Sequence, residues 1–379
     1  MAMEKPLFDI DRPGMQAQVN SYKPGNGLAW KQLFPLKYTS RFDLKGLEGD
    51  EGIPVAADRV AFNAKAPIKS RKTVGSWSGK LGKFAVSREK DEMEVNEYQD
   101  LQTLAAANEN PAEARNLVDI VYNDLDFCNN AMDYKVEIDA MRIGSESKQV
   151  YNEETDGENV TEDQIDFKVP SENKVGCKVP WATYNASKKE YTPNTETANG
   201  LDDIIKLARK IKRGGGKAPK YCIMEKLAFE WLQGQKATAK LLFPRYEESL
   251  ITADMITLDS INRFMRNGGH PQILVLDTYA TIQEKDGTEK LIKPWVEHSV
   301  VLSPEARLGY TYYKPVPMVQ NTDALQVQGE YYKMTRYSEV NPMKEVTMAE
   351  AYIQPGLSNR KSLGYINVAK TTWNEGKAE

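Results

Sequence analysis

Histidine and cysteine are nearly missing from this chain of 379 residues: His270 and His298 are its two histidines, and Cys128, Cys177 and Cys222 its three cysteines. The cysteines lie far apart and form no C-x-x-C, so they read as buried thiols in a reducing compartment, with no metal-type spacing. His270 follows Gly268-Gly269 and reads as a loop residue, while His298, just before a strand, reads as structural. Neither belongs to an H-E-x-x-H, and no G-x-S-x-G occurs, which removes the common zinc and serine-nucleophile signatures. No run approaches about 18 apolar residues, and the start, MAMEKPLFDIDRPG, lacks the apolar core of a signal peptide. A formal charge of −4 is small for this length and does not suggest a general nucleic-acid binder, which would carry a basic face. These absences point to a soluble chain made in a cytoplasm, with no metal, no cofactor, no membrane partner and no enzymatic role.

What is present is a long helix with both ends written in. Asn110 can cap it, Pro111 suits the first helical position, and Glu113 resembles the acidic half of a capping box. Leu117, Val121, Leu125, Cys128, Met132 and Val136 recur at helical spacing and leave acidic and amide residues on the other face. Gly144 is expected to supply a left-handed stop. At 1.5 Å per residue such a helix is roughly 50 Å long, several times the usual three turns.

The ground before it is different. Residues 1 to about 40 are rich in Pro, Gly and Asn without periodicity and predict an extended arm that needs a partner surface. From Arg59 to Lys90 nine Lys or Arg face Glu89 alone, and Val74 to Val86 predicts a long hairpin about a glycine-rich turn. The charge then inverts through Glu89, Asp91, Glu92, Glu94, Glu97 and Asp100. Two readings remain open: a solvated surface, or a basic hairpin (Lys69, Arg71, Lys72, Lys80, Lys83) that meets Glu92, Glu94 and Glu97 on another copy of the chain.

After the helix, residues 145–200 read as strands and loops, with Ile165 to Pro170 alternating as a strand. An α/β pattern follows: a helix from Leu201 to Arg213, strands at Tyr221–Met224, Gln272–Asp277 and Val300–Pro304, short helices at 225–233 and 260–266, and a hairpin around Lys285-Asp-Gly287. Gly214-Gly-Gly216-Lys217 superficially resembles a phosphate loop. It lacks the spacing, the following Ser or Thr and a preceding strand, so it reads as a helix stop and turn. Strand character returns from Gly329, with a turn expected at Gln354-Pro-Gly356 before Tyr365–Val368. Tyr310, Tyr312, Tyr313, Tyr331 and Tyr332 suit half-buried strands and wet interfaces, and no basic cluster accompanies them in sequence.

The segment Glu297-His-Ser-Val-Val-Leu-Ser-Pro-Glu-Ala-Arg-Leu-Gly-Tyr-Thr-Tyr-Tyr-Lys-Pro-Val-Pro317 resembles the late part of the lambda-type major capsid protein E family of tailed phages. The order of segments is similar to that family's plan, the Hong Kong 97-like capsid fold. The resemblance implies an α+β chain with an arm at 1–54, an extended loop at 55–95, and a peripheral domain at 96–199 holding the spine helix 110–144. It further implies an axial domain at 200–320 and a return to the peripheral domain with a C-terminal tail at 321–379. It implies self-assembly into pentamers and hexamers of an icosahedral shell that encloses DNA without sequence-specific binding. Portal and decoration proteins are implied partners, and a scaffold would sit on a separate protein, since no long helical region precedes the loop. Ring-centre candidates are Gly214, Gly215, Gly216 and Lys217, with Lys236 to Tyr246. The alternatives are an encapsulin-like cellular compartment and a soluble α/β enzyme built on 200–320.

Overall fold

A computed structural model describes residues 4–8, 10–23, 27–45, 78–108, 111–151, 163–245, 255–283, 288–320 and 322–373. The N-terminal segment runs through helix α1 (Arg12–Ser21), the single turn α2 (Trp30–Leu33) and strands β1 (Leu36–Tyr38) and β2 (Asp43–Lys45). After residues 46–77 come β3 (Ser78–Lys80), β4 (Gly82–Lys90) and helices α3 (Glu92–Asn108) and α4 (Pro111–Glu146). Short strands follow: β5 (Lys148–Tyr151), β6 (Asp163–Asp166), β7 (Lys174–Gly176), β8 (Ala182–Asn185) and β9 (Glu190–Pro193). The α/β stretch holds α5 (Gly200–Arg213), β10 (Tyr221–Glu225), α6 (Lys226–Gln233), α7 (Lys236–Leu242), α8 (Leu258–Asn267) and β11 (Gln272–Leu276). The remaining strands are β12 (Ala280–Gln283), β13 (Glu289–Ile292), β14 (Ser299–Ser303), β15 (Gly309–Lys314), β16 (Leu325–Gln328), β17 (Tyr332–Val340), β18 (Met343–Leu357) and β19 (Gly364–Asn367).

Two sheets carry the architecture. In the six-stranded sheet the order is β1-β15-β18-β17-β16, with β4 paired along the other side of β18. In the five-stranded sheet it is β11-β10-β14-β19-β7, and the β10–β11 pair is parallel while β10–β14 is antiparallel. Helix α5 closes the second sheet. Its Leu201, Ile204, Leu207 and Ile211 recur at helical spacing and are buried with Cys222, Met224 and Val300 of the strands. Asn199 caps it, accepting from the Asp202 amide at 3.2 Å. The larger core gathers around α4, where Leu125, Cys128, Met132 and Val136 pack with Ala349, Ala351 and Ile353 of β18.

Several elements differ from what the sequence suggested. The N-terminal segment is not a bare arm awaiting another surface. Asp11 caps α1 by accepting from Gly14 N–H at 2.8 Å, and Met15, Trp30 and Phe34 are fully buried in the chain's own core. Strand β1 is built into the first sheet, parallel to β15. Residues 74–77 of the hairpin expected at 74–86 lie outside the described residues; of the rest, Gly79 lies in β3 opposite Leu44, and β4 pairs with β18 over nine positions. The acidic run begins a helix, α3, with Asp91 and Glu94 forming a reciprocal cap. The strand expected at 165–170 is β6, which ends at Asp166.

Gln354-Pro-Gly356 is not a turn but the continuation of β18, paired with Tyr310 to Tyr312. Thr311 donates to Pro35 on its far side, so Thr311 and Pro355 meet as a non-hydrogen-bonded pair. The nitrogen of Pro355 therefore faces the side where β4 has ended at Gly82, and its missing N–H breaks no ladder bond. The closing strand β19 pairs with β14 and β7, which puts it in the second sheet.

Gly144 is not the stop of the long helix. The helix continues to Glu146, and Ser147 takes the left-handed conformation with φ of 62°. Gly144 is instead a point of close approach, where a Cβ would stand 3.0 Å from the Trp295 ring and 3.1 Å from Leu308. The two residues should thus respond oppositely. Gly144→Leu should cost about 1–3 kcal/mol through overpacking. Ser147→Gly should be neutral or gain up to about 1 kcal/mol by relieving the left-handed strain. Thermal unfolding of both variants checks this, and a destabilised Ser147→Gly beside a tolerant Gly144→Leu would reverse the assignment.

Candidate assembly surfaces and the spine

Much of the acidic and amide face of α4 is buried along with its apolar face. Asp124, Asn129, Asp133, Glu137 and Asp139 are all buried, so each needs a partner. The partners come from far along the chain. Lys90 of β4 forms an ion pair with Asp124, joined by Arg88 at 3.5 Å. Tyr332 donates to Asn129 at 2.5 Å, and Tyr331 donates to Asp133 at 2.7 Å. Tyr151 donates to Asp139 at 3.3 Å.

The N-terminal segment lies along the same helix in step with it. Gln18 donates to Asp126 at 2.9 Å, Tyr22 donates to Asn130 at 2.9 Å, and the amides of Ala29 and Trp30 donate to Glu137 at 3.1 and 2.7 Å. Residues 126, 130, 133 and 137 recur every three or four positions and share one face, so the helix acts as a rail for the segment. At the sheet end, the buried Glu345 pairs with Arg336 and accepts from the amides of Leu7 and Phe8 at 2.7 and 3.0 Å.

The expected contact residues separate on this frame. Lys69, Arg71 and Lys72 lie outside the described residues. Lys80 is exposed in β3 opposite Asp43, next to the feet of the stretch 46–77 that β2 and β3 pin side by side. Lys83 is engaged within the chain: it pairs with Glu350 at 2.6 Å, and Lys333 reaches the other oxygen at 3.1 Å. Burial works against the Glu350 carboxylate, but the two lysines outweigh it and hold its pKa below the ordinary value. Glu94 is occupied by its cap with Asp91, whereas Glu92 and Glu97 are exposed on α3. Periodicity could not reveal the pairing of Lys83, since Glu350 and Lys333 are remote in sequence, whereas the Asp91–Glu94 cap is local.

Gly214 to Lys217 forms a helix stop and turn. Gly214 N–H returns to Lys210 at 2.9 Å, Gly215 has φ of 86°, and a Cβ on Gly216 would stand 2.9 Å from the Lys361 carbonyl. Lys217 N–H donates to Ser362 Oγ at 2.9 Å, tying the turn to the segment before β19. Lys236 to Leu242 is α7. His298 lies 3.5 Å from the Tyr191 hydroxyl, and burial lowers its pKa. Among the described residues, no three His, Cys, Asp or Glu side chains converge to hold a metal, and no helix is long and apolar enough to cross a membrane. The three cysteines are free and buried.

Comparison with known proteins decides the family. The model for phage major capsid protein E matches residues 14–361. The chain belongs to the phage major capsid protein E family. Its fold is similar to a capsid protein of a prophage from E. coli CFT073, with a TM-score of 0.54 at 15% identity, covering 94% of this chain and 99% of the other. A phage-related protein from Bordetella bronchiseptica RB50 aligns with a TM-score of 0.51 at 14% identity, over 97% of this chain and 99% of that one. No curated protein matches the chain. The fold is the Hong Kong 97-like capsid fold, and the family makes this a structural protein of a phage capsid shell.

The buried carboxylates give the spine a pH dependence. Burial pushes Glu137 up to about 7, against the pull of the Ala29 and Trp30 amides, and burial also raises Asp133 despite the Tyr331 bond. A carboxyl raised in this way holds its proton in the folded chain where the unfolded chain has released it. Its contribution is complete below the ordinary carboxyl value and is lost as pH climbs through about 7. The loss at Glu137 is ~3 kcal/mol. Glu137→Gln keeps an acceptor for the Trp30 amide and removes the titration. Unfolding of the subunit followed from about pH 5 to about pH 8 should fall more steeply for the wild type than for this variant. Identical slopes would show that Glu137 does not carry the effect.

Proposed function

We propose that this major capsid protein assembles in rings of five and six into the icosahedral head of a tailed phage, enclosing double-stranded DNA without reading its sequence. It is made in the host cytoplasm, and it works with separate scaffold, portal and decoration proteins. It has no catalytic role. The observation that carries this reading is the family match over residues 14–361. The encapsulin-like alternative loses weight for the same reason.

Two contacts are assigned within that shell. The basic stretch with Lys69, Arg71, Lys72 and Lys80 lies over a neighbouring subunit and meets Glu92 and Glu97 there. Support comes from Lys80 and those two glutamates, which stand exposed with no partner bond among the described residues. The turn Gly214 to Lys217 lines the ring centre in the axial domain, where its tight tie to Lys361 and Ser362 leaves little room for added volume.

Electron microscopy of the purified chain, expressed with and without a scaffold protein, tests the assembly; particles no larger than a ring would contradict it. For the contact, each exposed pair contributes on the order of 0–1 kcal/mol, summed over every copy and screened by salt. Reversing Lys69 and Lys80 together should therefore slow assembly, read by light scattering, more at low salt than at high salt. Assembly equal to the wild type at every ionic strength would refute the contact.

A further inference from the structure

The tyrosines of β15 stand in a basic row that no stretch of sequence reveals. Tyr310 and Tyr312 share one face of the strand, with ring centroids 6.4 Å apart. The Lys37 ammonium, delivered by the parallel neighbour β1, sits 4.6 Å from the Tyr310 ring centre and 5.6 Å from that of Tyr312. The Arg307 guanidinium covers Tyr310 from the other end at 4.8 Å. Two residues past Tyr312, Lys314 sits 4.2 Å from the centre of Phe42, whose ring packs edge-on against Tyr352 at 5.2 Å. Lys83, opposite Tyr352 across β18, extends the row.

The acids beside this row are few and already engaged. Glu305 bonds Arg307 at 2.7 Å, and Glu350 is shared by Lys83 and Lys333. Among the described residues, Lys37 and Lys314 contact rings and no carboxylate. A tyrosine face holds an ammonium in place without neutralising it, and tyrosine hydroxyls donate to phosphate oxygens. Burial keeps the Tyr312 phenol above its ordinary pKa and therefore protonated as a donor.

We propose that the row Arg307, Lys37, Lys314 and Lys83, with Tyr310 and Tyr312, is a binding surface for the phosphodiester backbone of double-stranded nucleic acid. From Arg307 to Lys314 an extended chain covers roughly 24 Å at about 3.4 Å per residue, a strip that suits a continuous polyanion. An acidic helix of a second copy fits less well. On α3, Glu94 is closed in a cap with Asp91, and Glu92 and Glu97 are the acids assigned above to the basic stretch around Lys80, which leaves Asp100 to match the row. The surface makes no contact that distinguishes bases, so it tracks backbone only. Its setting rests on the shell reading, but its test does not.

The test uses the full-length chain as unassembled subunits, kept dilute and verified by sedimentation, with a labelled duplex oligonucleotide followed by fluorescence anisotropy. Contact through Lys37 and Lys314, the two cations of the row not already paired to a carboxylate, predicts a slope of log K against log salt of about −2. Replacing Lys37 and Lys314 together by Gln should weaken binding about tenfold or more at low salt and flatten the slope by about 2. The matched control, Lys188→Gln with Lys189→Gln, removes the same charge from the exposed β8–β9 turn and should leave both readouts unchanged. Absence of binding by the wild type, or an equal loss in both double variants, overturns the proposal. If the Lys37 and Lys314 variant binds DNA normally but fails to close shells, the row belongs to a subunit contact and the proposal is wrong, while the shell reading stands.

Discussion

Everything in this fold hangs on the need to satisfy the buried polar face of α4. A helix of 36 residues with carboxylates and amides inside the protein is stable only if each of those groups finds a partner. The requirement is met at the carboxylates and at the Asn129 carbonyl by the N-terminal segment, by β4, by Tyr151, and by Tyr331 and Tyr332 at the start of β17. Removing one partner leaves a buried charge uncompensated, which is far more damaging than losing an exposed pair. Order in the N-terminal segment is therefore coupled to order in the spine. The arrangement also explains why a stretch with so little local periodicity folds at all, since its backbone amides at Leu7, Phe8, Ala29 and Trp30 are taken up by Glu345 and Glu137.

The same helix links the two sheets mechanically. Its middle packs on β18, while near its C-terminal end the Ser145 carbonyl accepts from Ser299 of β14 at 2.5 Å, and Gly144 lies under Trp295. A shell protein needs a subunit that keeps its shape while its edges contact neighbours. Here the rigid part is the helix with both sheets, and the pinned feet of the stretch 46–77 sit at the margin of the first sheet.

What the sequence disclosed follows from range of interaction. Helices α4 and α5 and strands β10, β11 and β14 were legible because periodicity and caps act within a few residues. Helix α1 was legible in principle, since Asp11 and Pro13 mark its start, but Gly14 and the surrounding proline and glycine obscured it. Gly144 was misread because a glycine near a helix end serves equally for a turn or for close packing, and only Trp295 and Leu308 decide which. Pro355 looks like a turn residue until one knows that β4 stops at Gly82. The partners of Asp124, Asp133 and Glu137 lie tens to hundreds of positions away, and so does Lys37 from Tyr310. No reading of the tyrosines alone could supply the cations that surround them.

Amide hydrogen exchange on the subunit tests the coupling between segment and spine most directly. If buried carboxylates bind the N-terminal segment to the chain, the amides of Leu7, Phe8, Ala29 and Trp30 should exchange as slowly as those in the middle of α4. Glu137→Ala should then release Ala29 and Trp30 selectively. Rapid exchange at all four positions in the wild type, with α4 still protected, would contradict the account.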